Sequence, residues 1–506
     1  MKRPLPPKQV NLRRLDLDGL PQPVAEEHPE WLHVHRRAWE LAHRHIRHRP
    51  GLAAPWHMDE ACMPDRLWQW DTCFMALYTA YANDLFPGIE SLDNFYSWQR
   101  NDGFIGMTYF TRNGRLAYGE RCNPPLFAWV EWEYYLRTGD DSRFRRVLPH
   151  LVRYFDWLKA NRRRGPIHRP HEEKSPELQL RQGGLYWETC CGAAGCDNSP
   201  RATHLTWSGG EIAWVDYTCQ QALAARCLAR IAARAGDLRL AARFEGEHRA
   251  IARHVNRWMW CPKSAFYHDI YLDGNWLTVK TVAGFWPLLS GVATPERAAL
   301  LAGHLLNPNE FWRDHPVPTL SADDPNYDPG GKYWLGGVWA PVNCTIIMGL
   351  ARHGFGQVAH LIARRHLDRM AEIEKTIHPR TLWECYAPDH REPGTDKNGR
   401  DYSKKDFCGW TALGATSLFY ENVLGIQPNV PERKIAWDLR LTERHGFRKY
   451  PFAGKWISLL AERRASPDAP ARVTVTSPVA FTLTLRADDR VAVLEVLPDR
   501  ELRATL

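Results

Sequence analysis

A repeated helical rhythm constrains this chain most. From about Glu30 to Ile426, segment after segment carries apolar residues at three- and four-residue spacing, separated by loops rich in Gly, Pro, Asp and Asn. The spacing predicts helices over 33–48, 67–83, 126–138, 144–160, 211–235 and 238–258. Further helices follow over 283–289, 295–306, 339–352, 357–374 and 410–423. Counting weaker segments, about a dozen helices arranged as pairs suggest a toroid with an inner and an outer ring. A chain of 506 residues has room for such a core and a small accessory domain. Beyond Pro428 the runs become short and β-branched or alternating, at 473–475, 481–485 and 491–497, with Asp488 and Asp489 as a turn. The reading is therefore mainly α: an N-terminal extension over 1–29, a helical barrel over 30–427 and a small antiparallel β domain over 428–506.

Several function classes are excluded on composition. No run approaches the ~18 apolar residues of a membrane span, and Met1 to Pro23 lacks the apolar core of a signal peptide. The expectation is a cytoplasmic protein with no membrane partner. The net charge of +8 is spread over many segments and accompanies no nucleic-acid-binding module, so no nucleic-acid partner is expected. The 12 Cys form no regular disulfide framework and read as free thiols. Cys190, Cys191 and Cys196 cluster, but without a second half-site they favour loop thiols over a zinc centre. Neither a metal nor an organic cofactor is expected.

The 23 Trp residues point to a ligand. Indole faces stack on the C–H faces of sugars and the indole N–H donates to hydroxyls, although any single Trp taken alone is better read as filling a helical core. Hydrolysis of a glycosidic bond then needs two placed carboxyls, one to protonate the leaving oxygen and one to activate water or attack carbon. Asp197, in Cys196-Asp197-Asn198-Ser199-Pro200-Arg201, has potential hydrogen-bond donors beside it; the same stretch also suits a helix cap. Glu384 lies among aromatics in Trp383-Glu384-Cys385-Tyr386, a setting that tunes a carboxyl for acid or base work. Glu188, next to Trp187, rivals Asp197 for the acid. Trp68-Gln69-Trp70-Asp71, Tyr333-Trp334 through Trp339, Trp98-Gln99 and Phe407 to Trp410 read as sugar-binding walls, with a simple helix cap as the plainer role for Asp71.

Four of these blocks, taken in order, resemble glycoside hydrolase family 63 and its trehalase-like relatives: W-x-W-D at Trp68, D-N-S-P-R at Asp197, Y-W-x-G-x-V-W at Tyr333 and W-E-x-Y at Trp383. The resemblance covers roughly Trp56 to Ile426. It implies an (α/α)6 barrel and hydrolysis with inversion, with Asp197 as general acid and Glu384 as general base. Trp68, Trp70, Asp71, Gln99, Trp187, Arg201, Tyr333, Trp334, Trp339 and Trp410 fall on its substrate-binding positions. Inversion implies carboxyls roughly 6.5–9.5 Å apart. The Cys190 to Cys196 loop is longer than in familiar members, which bears on substrate identity. The expected substrate is a small soluble α-linked glucoside or mannoside, such as a glycosylglycerate or a disaccharide. Arg66, Arg112 and Arg121 are available for an acidic aglycone. A sugar epimerase or phosphorylase on the same toroid is the alternative enzyme, but no His pair sits inside the aromatic blocks. The remaining alternative is a carbohydrate-binding protein without catalysis, against which the retention of both acids argues.

Overall fold

The computed structural model describes residues 14–163, 184–202, 212–271 and 274–506. Its helices are α1 (Pro29–Arg44), α2 (Gln69–Thr79), α3 (Leu92–Ser97), α4 (Phe127–Thr138), α5 (Phe144–Asn161) and α6 (Val215–Ala235). These are followed by α7 (Leu238–His254), α8 (Trp286–Ser290), α9 (Pro295–Leu306), α10 (Ala340–Arg352), α11 (Gly356–Thr376) and α12 (Ala412–Ala415). Glu211, where a helix start was expected, lies outside the described residues, and α6 runs from Val215.

Contacts sort these helices into two sets. α2, α4, α6, α8, α10 and α12 touch one another in that order, and α12 returns to α2. α1, α3, α5, α7 and α11 pack against members of that closed series. The sequence explains the division. Every residue of α2, Gln69 to Thr79, is buried, as expected of a helix apolar on all sides. α1 instead buries the stripe Trp31, Val34, His35, Ala38, Trp39, Leu41 and Ala42 and leaves its opposite face to solvent. Gly139 ends α4 at φ +78°, a left-handed conformation that a side chain would oppose. Much of the Trp excess is spent on this packing: Trp31, Trp39, Trp129, Trp214 and Trp339 are among the largest fully buried side chains.

Several boundaries move. The helix expected over 33–48 begins at Pro29 and stops at Arg44, because Ile46–His48 pairs as a strand with Trp56–Met58. Leu67 and Trp68 likewise belong to a strand, Arg66–Trp68, paired with Thr108–Phe110. The segment expected as one helix over 410–423 is broken at Thr416 (φ −127°, ψ −91°) into α12 and a wide turn over Phe419–Val423.

The β region differs from expectation in two ways. One sheet has the order Gln22–Ala25, His445–Phe452, Lys455–Ala461, Arg472–Thr476, Leu502–Thr505, so residues assigned to an N-terminal extension supply its first strand. Pro23 is tolerated there because the strand is at the sheet edge. The other sheet has the order Ile426–Asn429, Lys434–Asp438, Phe481–Ala487, Arg490–Val496, and its central pair is parallel, so the region is not wholly antiparallel. Asp488 and Asp489 do form the turn between the last two of these strands.

Candidate active site

The loops that enter α2, α10 and α12, together with the stretches 189–199 and 396–407, surround a cavity of ≈ 920 Å³. Each wall is held by identifiable bonds. Trp68, Trp70 and Asp71 arrive at the strand-to-helix junction that begins α2, whose first backbone amide, that of Gln69, donates to the Met107 carbonyl at 2.9 Å. Trp70 is wedged between Phe74 and Trp286, with ring centroids at 5.0 and 6.4 Å. Asp71 caps nothing: Trp68 is the capping residue of α2, and the Asp71 carboxyl faces the cavity. Burial, reinforced by the neighbouring Glu60 carboxyl, pushes Asp71 well above the usual carboxylate range.

Glu384 lies at a bend between two isolated bridges, at Trp383 and Tyr386, and is pinned from both sides. Its backbone amide donates to the Lys404 carbonyl at 2.8 Å, and the nearby Tyr386 and Val338 exchange amide-to-carbonyl bonds of 3.0 and 2.8 Å. Trp410 Nε1 donates to the Glu384 carbonyl at 3.1 Å, and Thr411 Oγ1 to that of Trp383 at 2.9 Å. The carboxyl enters the cavity and accepts from the Tyr333 hydroxyl at 2.7 Å. Burial raises its pKa to about 6; the Tyr333 bond opposes the rise and the Asp197 charge adds to it.

Tyr333 holds φ at +65°, a conformation that costs a non-glycine residue on the order of 1 kcal/mol and persists where surrounding structure enforces it. The enforcement is visible. Asn198 accepts from the Trp334 amide at 2.8 Å and donates to the Lys332 carbonyl at 3.0 Å, stapling the Asp197 loop to this turn. Trp334 stacks on the buried Trp339 at 4.4 Å. Gly337 permits the fold-back, because a Cβ there would lie 2.2 Å from the Tyr333 carbonyl oxygen.

Asp197 lines the same cavity, and its Oδ2 is held by the ammonium of Lys397. Glu188 does not line it. It is fully buried behind the loop, its Oε1 taken by the Thr189 amide and hydroxyl at 2.7 and 3.0 Å, and burial raises its pKa. Of the other expected contacts, Trp68, Trp70, Asp71, Tyr333, Trp334 and Trp410 line the cavity. Gln99, Trp187, Arg201 and Trp339 do not. Gln99 cross-links Gly103, His150 and Arg153. Trp187 sits under the Arg162 guanidinium. Arg201 is a buried post between Asp216 (2.5 Å) and Asp269 (3.4 Å), with Trp214 beneath it at 4.5 Å. Trp339 supports Trp334 from behind.

Sequence reading missed Glu60, Lys397, Lys404, Asp396, Asp401 and Tyr402, all in the wall. Glu60 carries no aromatic flank that would have singled it out; burial raises its pKa to about 8. The stretch Asp396-Lys397-Asn398-Gly399-Arg400-Asp401 reads as an ordinary polar turn. Among the described residues, no group of three or more His, Cys, Asp or Glu is arranged to hold a metal ion, no histidine lines the cavity, and no helix is long and apolar enough to cross a membrane.

An aromatic-walled pocket that gathers several carboxyls, among them the buried Glu384 and the more exposed Asp197, is the kind of site a glycoside hydrolase uses. The chain belongs to the family described as the mannosylglycerate hydrolase MGH1-like glycoside hydrolase domain, whose model matches residues 64–404, in keeping with the resemblance to family 63. An uncharacterized protein of Borreliella burgdorferi is 27% identical over 390 residues, 76% of this chain and 77% of that one. The mannosylglycerate hydrolase of Thermus thermophilus is 36% identical over 118 residues, 23% of this chain and 27% of the relative. A crystal structure of a family 63 mannosylglycerate hydrolase from Thermus thermophilus, in complex with glucose, superposes with a TM-score of 0.60 at 21% identity, covering 76% of this chain and 99% of that one.

Proposed function

We propose that the closed helical series is an (α/α)6 barrel and that the chain hydrolyses a small α-linked glucoside or mannoside, a glycosylglycerate or a disaccharide, with inversion. The observation that carries this reading is the buried Glu384 carboxyl, oriented by Tyr333 and sharing its cavity with Asp197. Glu384 takes a proton from water as the water oxygen bonds to the anomeric carbon. The bond from that carbon to the glycosidic oxygen breaks, and Asp197 gives its proton to the departing oxygen. Trp70, Trp334 and Trp410 offer apolar faces to the sugar, and Asp71 accepts from its hydroxyls. The absence of histidine from the described cavity wall favours this reading over an epimerase.

The test is a panel of α-linked glucosides and mannosides followed by proton NMR. A β-anomer released first supports inversion, and an α-anomer released first refutes it. Asp197→Asn is expected to lower kcat by about 10²–10⁴-fold while sugar binding persists. Substantial residual turnover in that variant would remove Asp197 from its role.

A further inference from the structure

The cavity wall holds a carboxyl, that of Glu60, which takes no part in moving the two protons of hydrolysis. Glu60 follows the strand Trp56–Met58, and the chain turns sharply just after it. Ala61 holds φ at +102°, a conformation that a side chain opposes and that persists where neighbours enforce it. The Ala61 amide donates to Asp59 Oδ1 at 2.9 Å, and Asp59 is itself anchored by the Arg47 guanidinium and by the His45 ring at 2.7 Å. The Met63 amide donates to Glu60 Oε1 at 2.8 Å. On the other side, Gly409 lets the segment leading to Trp410 close on Glu60, because a Cβ there would lie 3.0 Å from the Glu60 Cβ and 3.2 Å from its carbonyl oxygen.

This turn fixes the Glu60 side chain but uses only one of its oxygens. Glu60 is 5% exposed, and its Oε2 has no hydrogen-bond partner among the described residues. A buried carboxyl oxygen left unsatisfied is costly, and in a cavity wall it points to a bond completed by a ligand. The neighbouring carboxyl in the same wall is that of Asp71. The charges that bear most on the two are other carboxyls: Asp59 on Glu60, and Glu60, Glu384 and Asp197 on Asp71. Burial and this crowding keep a proton here at neutral pH, with Glu60 raised to about 8 and Asp71 well above the usual carboxylate range. Because Oε1 accepts from the Met63 amide, the hydrogen of a protonated Glu60 belongs on Oε2, where the carboxyl becomes a donor.

We propose that Glu60 is a sugar-binding residue whose Oε2 donates to one hydroxyl of the hexose that is cleaved, while that same hydroxyl donates to Asp71. A hydroxyl can do both at once, whereas two ionised carboxylates would only accept. This rests on the glycosidase reading above and deepens it: the pair reads a single hydroxyl of the sugar, whatever group departs.

The experiment takes the α-linked glucoside or mannoside that the unaltered chain hydrolyses fastest, with its monodeoxy analogues, one for each hydroxyl of the hexose. At one position the deoxy penalty in kcat/KM, about 10–100-fold in the unaltered chain, should shrink to about threefold or less in Glu60→Met, because residue and hydroxyl lose the same bond. Penalties at the other positions should hold. Glu60→Gln, whose amide can donate from the place of Oε2 while its oxygen still accepts from Met63, should keep most of the penalty. Glu60→Asp withdraws the carboxyl by one methylene and is expected to lose it, which supplies the comparison if the methionine variant does not fold. Penalties that stay unchanged in Glu60→Met and Glu60→Asp, or shrink equally at every position, overturn the proposal and leave the glycosidase reading intact. A loss in Glu60→Gln as complete as that in Glu60→Met overturns the donor assignment. No hydrolysis of any α-linked glucoside or mannoside by the unaltered chain overturns both readings.

Discussion

At the scale of single residues, the site depends on how a carboxyl is surrounded. In the proposed role Glu384 must be ionised to take a proton from water, and burial places its pKa at about 6. The rate is therefore expected to fall as pH drops through about 6, a limb visible in a kcat/KM profile. The Tyr333 hydroxyl favours the ionised form. Tyr333→Phe should thus move this limb to higher pH and lower kcat by about tenfold; a limb that stays in place would show that the hydroxyl does not tune the base. Glu384 was legible in the sequence because its aromatic flanks, Trp383 and Tyr386, are neighbours along the chain. Lys397 was not, because the residue that gives it meaning lies 200 positions earlier, at Asp197. Glu188 and Asp197 share one loop and similar flanks, and only the fold shows that one carboxyl faces inward to Thr189 and the other faces the cavity.

At the scale of elements, periodicity located the long helices well and the broken ones poorly. A three-to-four spacing continues through Trp410 to Val423, yet the backbone departs from helix at Thr416, where the chain turns toward the β region. Motif position also misled for Arg201. Its place three residues after Asn198 suggested a sugar contact, whereas the side chain ties the loop to α6 through Asp216 and to the Asp269–Tyr271 strand through Asp269. Removing it leaves two buried carboxylates facing each other. Arg201→Met is expected to destabilise the protein by about 3–5 kcal/mol, read as a lowered thermal midpoint. A loss of activity at unchanged stability would instead return Arg201 to the substrate.

At the scale of the whole molecule, the helical and β regions are joined through the start of the chain as well as its end. The strand Gln22–Ala25 lies in a sheet otherwise built from residues 445–505, and Val24 and Ala25 are buried there. Val24→Asp places an unpaired charge in that seam and should lower the melting temperature by several degrees, about 2–4 kcal/mol of stability; an unaltered midpoint would mean that the strand is dispensable. Four residues including a proline carry too little alternation for sequence to reveal such a strand. Its pairing of Ala25 with His445 also sets an order of events on the ribosome. At about 5–20 residues per second, the first strand emerges roughly 20–80 s before its partner exists, so the beginning of the chain is among the last parts to find its place.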